Sequence, residues 1–182
     1  MPLSLGLMSN DTLETSEQSE LLSTLAQHRQ FLRFTARDLD DEQATRRTTV
    51  SELTIAGLIK HVAAQEEHWA SFIVHGASPS DDFDAMTEQD RARYSDEFRL
   101  LPGETLAGVL EYYAQVAART DDLVRSLPDL DAAHPLPEAP WFPPGTQWSA
   151  RRVLMHIVAE TSQHAGHADI IREALDGAKS MG

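Results

Sequence analysis

The chain contains no cysteine. That absence removes disulfides, thiolate metal ligands and a cysteine nucleophile together. Any metal site must therefore use nitrogen and oxygen donors, and any thiol chemistry must use a thiol brought from outside. Basic charge is also scarce: 15 Lys and Arg stand against 29 Asp and Glu, a formal net charge of −14. Such a field repels phosphate backbones, and the pairs Arg46-Arg47 and Arg151-Arg152 are too isolated to form a basic patch. Nucleic acid is thus excluded as a partner. No apolar run approaches the roughly 20 residues of a membrane span. The opening MPLSLGLMSNDT has a brief apolar stretch without a basic flank, a poor signal peptide. These features predict a cytoplasmic protein without a membrane partner. There is no GxSxG, no glycine-rich phosphate loop and no CxxC, which sets aside the familiar hydrolase, nucleotide and redox signatures.

What is present is enough for one domain. The 182 residues, 41% of them hydrophobic, suit a single globular core. Residues 1–15 read as a flexible N-terminal leader and residues 16–182 as the domain. A first helix is predicted over Ser16 to Asp38, with Leu21, Leu22, Leu25, Phe31, Leu32 and Phe34 as its apolar positions. The polar stretch Asp40 to Thr49 reads as a loop. A second helix begins near Ser51 or Thr54, either of which can serve as N-cap, and ends at Gly76. Residues 77 to about 103, rich in Asp and Ser, read as a long crossover with room for a short helical turn. A third helix covers Glu104 to Ser126, where Leu106, Leu110, Tyr113, Val116, Thr120 and Leu123 recur at helical spacing. A proline-dense loop runs from Pro128 to Gly145. Ser149 then caps a fourth helix that runs to Asp176, with Gly177 just beyond. The expectation is an all-α, four-helix bundle in which the long crossover lets the second and third helices run parallel.

Histidine carries the chemical signal. Six of the eight histidines fall in two windows: His61, His68 and His75 on the second helix, and His156, His164 and His167 on the fourth. At about 100° per residue, Glu160 and His164 share a face with the apolar residues Val153, Ile157, Ala168, Ile171 and Leu175. A carboxylate and an imidazole facing a bundle core are costly unless partnered. Four residues apart, they stand one turn from each other, and one metal ion satisfies both. A third donor should come from a facing helix, and His61, beside Leu58, Gln65, His68 and Phe72, is the best placed.

The plainer readings weigh against this. A Glu and a His at i, i+4 occur often as a solvated pair, and a lone core histidine is more often hydrogen-bonded than metal-bound. His75 reads as a cap complementing the helix dipole, and His28 and His134 as surface residues. His68 and His156 read as supporting groups rather than ligands, and Glu66 and Trp69 as pairing and packing residues. His167 lies on the side of Glu160 and could contact substrate or carry a proton. Trp141 and Phe142 line a pocket entrance or plug the bundle end.

A resemblance adds to this reading. The stretch LMHIVAETSQHAGHADIIREALDG (Leu154 to Gly177) resembles the signature helix of the DinB-like (DinB/YfiT-like) metalloenzyme superfamily, in its actinobacterial branch related to mycothiol-dependent enzymes. TTVSELTIAGLIKHVAAQEEHWASFIVHG (Thr48 to Gly76) resembles the second helix of that branch, with Glu66 and Trp69 five and eight residues after His61, and the SLPDLD segment also fits. The resemblance implies a four-helix bundle with a crossover between the second and third helices, and a divalent metal. Many relatives hold it with a lone histidine and a HxxxH pair; here the first of the pair is Glu160, with His164 the second and His61 the lone one. Mycothiol-dependent maleylpyruvate isomerases also use a His, Glu, His set. They carry a further C-terminal domain, whereas this chain ends five residues after Gly177, so that particular reaction is not expected.

The implied function is metal-dependent transfer of a low-molecular-weight thiol, mycothiol-like, to a small electrophile. His61, Glu160 and His164 hold the metal, zinc first with nickel or manganese as alternatives, and His167 is the candidate catalytic residue. The alternatives are a non-catalytic metal- or ligand-binding stress protein and an interaction module whose core histidines are merely hydrogen-bonded. Relatives often form dimers, so a homodimer is a further expectation.

Overall fold

The structure, a computed structural model, describes residues 15–180. The predicted leader therefore lies outside the described residues, apart from Thr15. Four long helices build the domain: α1 (Ser16–Thr35), α3 (Ile55–His75), α5 (Leu106–Ser126) and α6 (Ala150–Asp176). Two shorter helices, α2 (Asp41–Ala44) and α4 (Glu88–Asp96), sit in the connections, and a two-stranded antiparallel ribbon pairs β1 (Ala133–Pro135) with β2 (Gln147–Ser149).

Each long helix starts where a hydroxyl can cap it. Thr15, Thr54, Thr105 and Ser149 each accept from the backbone N–H three residues on, replacing a lost intrahelical partner. α3 and α6 stop at Gly76 (φ 73°) and Gly177 (φ 79°), where a side chain would be strained. The first helix ends at Thr35 rather than Asp38. Asp38 itself takes φ 59°, a left-handed conformation that ends a helix. The expected loop at 40–49 contains α2, formed because Asp40 and Gln43 close a reciprocal capping box.

Cross-helix contacts fix the directions. Lys60 pairs with Glu104 and Glu67 with Tyr112 and Arg119, so α3 and α5 run parallel, as the long crossover predicted. Glu17 meets Arg151 at one end and the Thr35 carbonyl accepts from Arg172 at the other, so α1 and α6 are also parallel. Gln18 reaches the Val124 carbonyl, which makes α1 and α5 antiparallel.

The core divides into two apolar clusters, one holding Leu32, Leu58, Val62 and Tyr113, the other Leu25, Trp69, Val124 and Ile157. Each long helix places one buried polar residue between them: Arg29, Glu66, Thr120 and Thr161. The threonine hydroxyls donate back to Val116 and Ile157 carbonyls one turn earlier. Arg29 grips Glu66 through Nε (3.0 Å) and Nη2 (2.5 Å), and reaches Asp121 at 2.7 Å. Buried this deeply, the charges persist only because each is paired. The pairing role expected of Glu66 is thereby met. On α5 the buried face keeps its predicted centre but is narrower: Val109 and Val124 are buried, and Leu110 and Leu123, expected in the core, are half-buried at its edges. A helical period gives the centre of the face, and the neighbouring helices set its width. Among the described residues, no helix is long and apolar enough to cross a membrane.

Candidate metal centre

α3 and α6 pack against each other, and opposite directions bring the early part of α3 beside the middle of α6. His61 meets His164 there, with ring centroids 5.1 Å apart. Glu160 lies one turn before His164, its Oε2 3.2 Å from Nε2 of that histidine. One donor atom from each of His61, Glu160 and His164 lies within 4.8 Å of the others. Donors bound to one ion at about 2 Å stand no more than about 4 Å apart, so small side-chain adjustments close the three on a cation. The sequence-predicted residues are thus brought together, and their two imidazoles and one carboxylate fit a divalent metal.

Placement differs from expectation in one respect. His61 is buried, whereas His164 and Glu160 are only partly covered, Glu160 keeping 30% of its side-chain exposure. They border the buried stripe of α6, formed by Val153, Leu154, Ile157, Thr161, Ala165 and Ala168, rather than lying within it. A helical wheel gives the angle of a residue but not where the neighbouring helices stop covering it. This border position leaves the carboxylate and imidazole reachable from solvent. The hydrogen bond with His164 holds the Glu160 carboxyl below the ordinary carboxylate range, against the opposing effect of partial burial. Glu160 is therefore ionised at neutral pH.

His167 lies beside the cluster, not among its three converging donors: its Nδ1 is 3.4 Å from Nδ1 of His164. His156, one turn before Glu160, packs edge-on to Trp69 and Trp148, and burial pushes its imidazole pKa down. His68 is exposed, 3.9 Å from Asp81. His75 closes the last turn of α3, and His134 packs edge-on to Phe72. Phe142 packs against Trp148, which stacks on Trp69 at 5.1 Å, so this part of the proline loop plugs the end of the bundle. Trp141 stays exposed, touching Phe83 and Phe142 edge-on.

The crossover supplies residues that the sequence pattern did not single out. Its α4 carries Tyr94 on the last turn, with Glu97 and Phe98 just beyond. Glu97 Oε2 stands 3.2 Å from Nδ1 of His61, and Phe98 stacks on the His61 ring at 3.9 Å. Tyr94 meets the same ring edge-on at 6.0 Å. The spacing i, i+3, i+4 marks these three as one helical face, but nothing local says what that face covers.

A bundle with parallel α3 and α5, and a His, Glu, His cluster between α3 and α6, defines a DinB-like protein. Residues 20–177 match the family model described as Mycothiol-S-transferase, and the chain belongs to that family. A solved structure described as a conserved protein from Enterococcus faecalis shares the fold: TM-score 0.60 and 14% identity, over 88% of this chain and 98% of that one. No curated protein matches the chain.

Proposed function

We propose that the protein binds one divalent metal ion through His61, Glu160 and His164, and transfers a low-molecular-weight thiol of the mycothiol type to a small electrophile. The convergence of these three donors within 4.8 Å is the observation that carries the reading. Membership of the Mycothiol-S-transferase family supports the thiol. The absence of cysteine agrees with it, since no thiol of the chain competes for the site.

Two imidazoles and one carboxylate suit zinc first, with nickel or manganese as alternatives. What a bound cation supplies is Lewis acidity, which favours the thiolate form of an incoming thiol at neutral pH. The residues do the rest. Glu160 brings negative charge that partly neutralises the cation, and its exposure leaves a route for the thiol. His61, buried against Phe98, anchors the site from the other helix. His167, with Nδ1 3.4 Å from Nδ1 of His164, takes the proton-handling or substrate-contact role.

The test joins elemental analysis to turnover. Purified wild type should carry about one metal per chain, and His61→Ala and His164→Ala should lose it. Wild type should consume mycothiol with a chlorinated aromatic electrophile, and chelator should stop it. Metal binding without turnover on mycothiol, bacillithiol or glutathione would leave a non-catalytic metal-binding protein. No metal after incubation with zinc, nickel and manganese would sink the proposal.

A further inference from the structure

We propose that the crossover between α3 and α5 is part of this centre, with Glu97 the positioning residue that sets the tautomer and orientation of His61; this rests on the metal-binding reading above. Glu97 Oε2 faces Nδ1 of His61 at 3.2 Å and also accepts from Nε2 of Gln65 at 3.1 Å. Gln65 is one turn after His61 on α3, so helix and crossover hold the carboxylate between them. A carboxylate accepting at Nδ1 favours the tautomer protonated there and leaves the Nε2 lone pair for a cation. Phe98 stacks on the same ring at 3.9 Å with the planes 22° apart, which restricts its rotation. His61 is only 3% exposed, so little water competes for Nδ1.

The backbone is seated to match. Gly57 lies one turn before His61, and a Cβ there would overlap the Phe98 carbonyl. The missing side chain is what lets the crossover approach α3 so closely. Lys60 adds a hydrogen bond to the Arg99 carbonyl at 3.2 Å. By contrast α4 buries none of its own residues. The crossover is therefore held near the site by Glu97, Phe98 and Arg99, immediately beyond α4, where it touches His61.

The test compares full-length wild type, Glu97→Ala and Glu97→Gln, with circular dichroism confirming the fold. In the metal-free protein, imidazole nitrogen-15 shifts should report His61 protonated at Nδ1 in the wild type and a tautomer mixture in Glu97→Ala. Chelator competition should show zinc binding about 10- to 100-fold weaker in Glu97→Ala. Glu97→Gln should fall between, because its amide oxygen still accepts from Nδ1. The cobalt-substituted spectrum should keep its band positions, since the three donors are unchanged. A changed spectrum would make Glu97 a ligand and overturn the positioning role. Zinc affinity within twofold of wild type, or an unchanged tautomer, would also overturn it while leaving the metal site standing. A wild type that binds no metal would instead remove the reading on which the proposal rests.

Discussion

Nδ1 of His164 faces Nδ1 of His167 across 3.4 Å, while Nε2 of His164 faces Glu160 across 3.2 Å. Both ring nitrogens of His164 are thus engaged, and across the His164–His167 contact one nitrogen must donate and the other accept. The pair lies on one face of α6, at i, i+3. His167 is therefore placed to orient a proposed ligand as well as to exchange a proton with whatever binds there.

His167→Ala should retain about one metal per chain but bind it roughly tenfold more weakly, because the second partner of His164 is gone. Chelator competition measures this. If His167 also handles a proton in turnover, kcat falls further than metal occupancy explains, and adding saturating metal does not restore it. Affinity and kcat both equal to wild type would assign His167 no part in the site.

The pair Arg29–Glu66 lies deep in the core. Both side chains are almost wholly buried, with Glu66 1% exposed. Glu66→Ala leaves Arg29 with Asp121 as its remaining acidic partner, and should cost about 3–5 kcal/mol in urea unfolding. The double variant Arg29→Met, Glu66→Leu should cost less than Glu66→Ala alone, because it also removes the buried guanidinium that Glu66→Ala leaves without its two Glu66 contacts. A single-variant loss below about 1 kcal/mol, a size typical of exposed ion pairs, would show that water reaches the pair.

Glu104 makes stability sensitive to acid. Burial raises its carboxyl pKa, but the Leu101 N–H and the Lys60 ammonium more than offset this and hold it below the usual carboxylate value. A depressed folded pKa stabilises the fold above the unfolded value of 4.5 and loses that contribution as pH falls through the folded value. Wild type should therefore have a higher urea midpoint than Glu104→Gln at pH 7, and the gap should narrow as pH falls below 4.5. A gap that is constant with pH would show that the charge is not what holds this end of the crossover.

Much of the fold was legible because its signals are local. Thr54, Ser149, Gly76 and Gly177 mark helix ends through caps and positive φ, and a helical period marks the buried faces to within one position. The histidine windows and the one-turn spacing of Glu160 and His164 were equally local. Two of the proposed ligands were legible for this reason, since a helix fixes which of its own side chains share a face, whereas His61 stands on another helix.

By itself, the sequence determined four capped amphipathic helices, the nitrogen and oxygen chemistry imposed by the lack of cysteine, and the three candidate donors. Only the tertiary structure decided how those residues meet. It put Glu160 at the border of the core rather than in it, laid Arg29 against Glu66 between two apolar clusters, and brought Glu97 and Phe98 onto His61. Each depends on residues 32 or more apart in the chain, or on where a neighbouring helix ends its cover. Periodicity specifies an angle about one helix axis and carries no information on the distance to another.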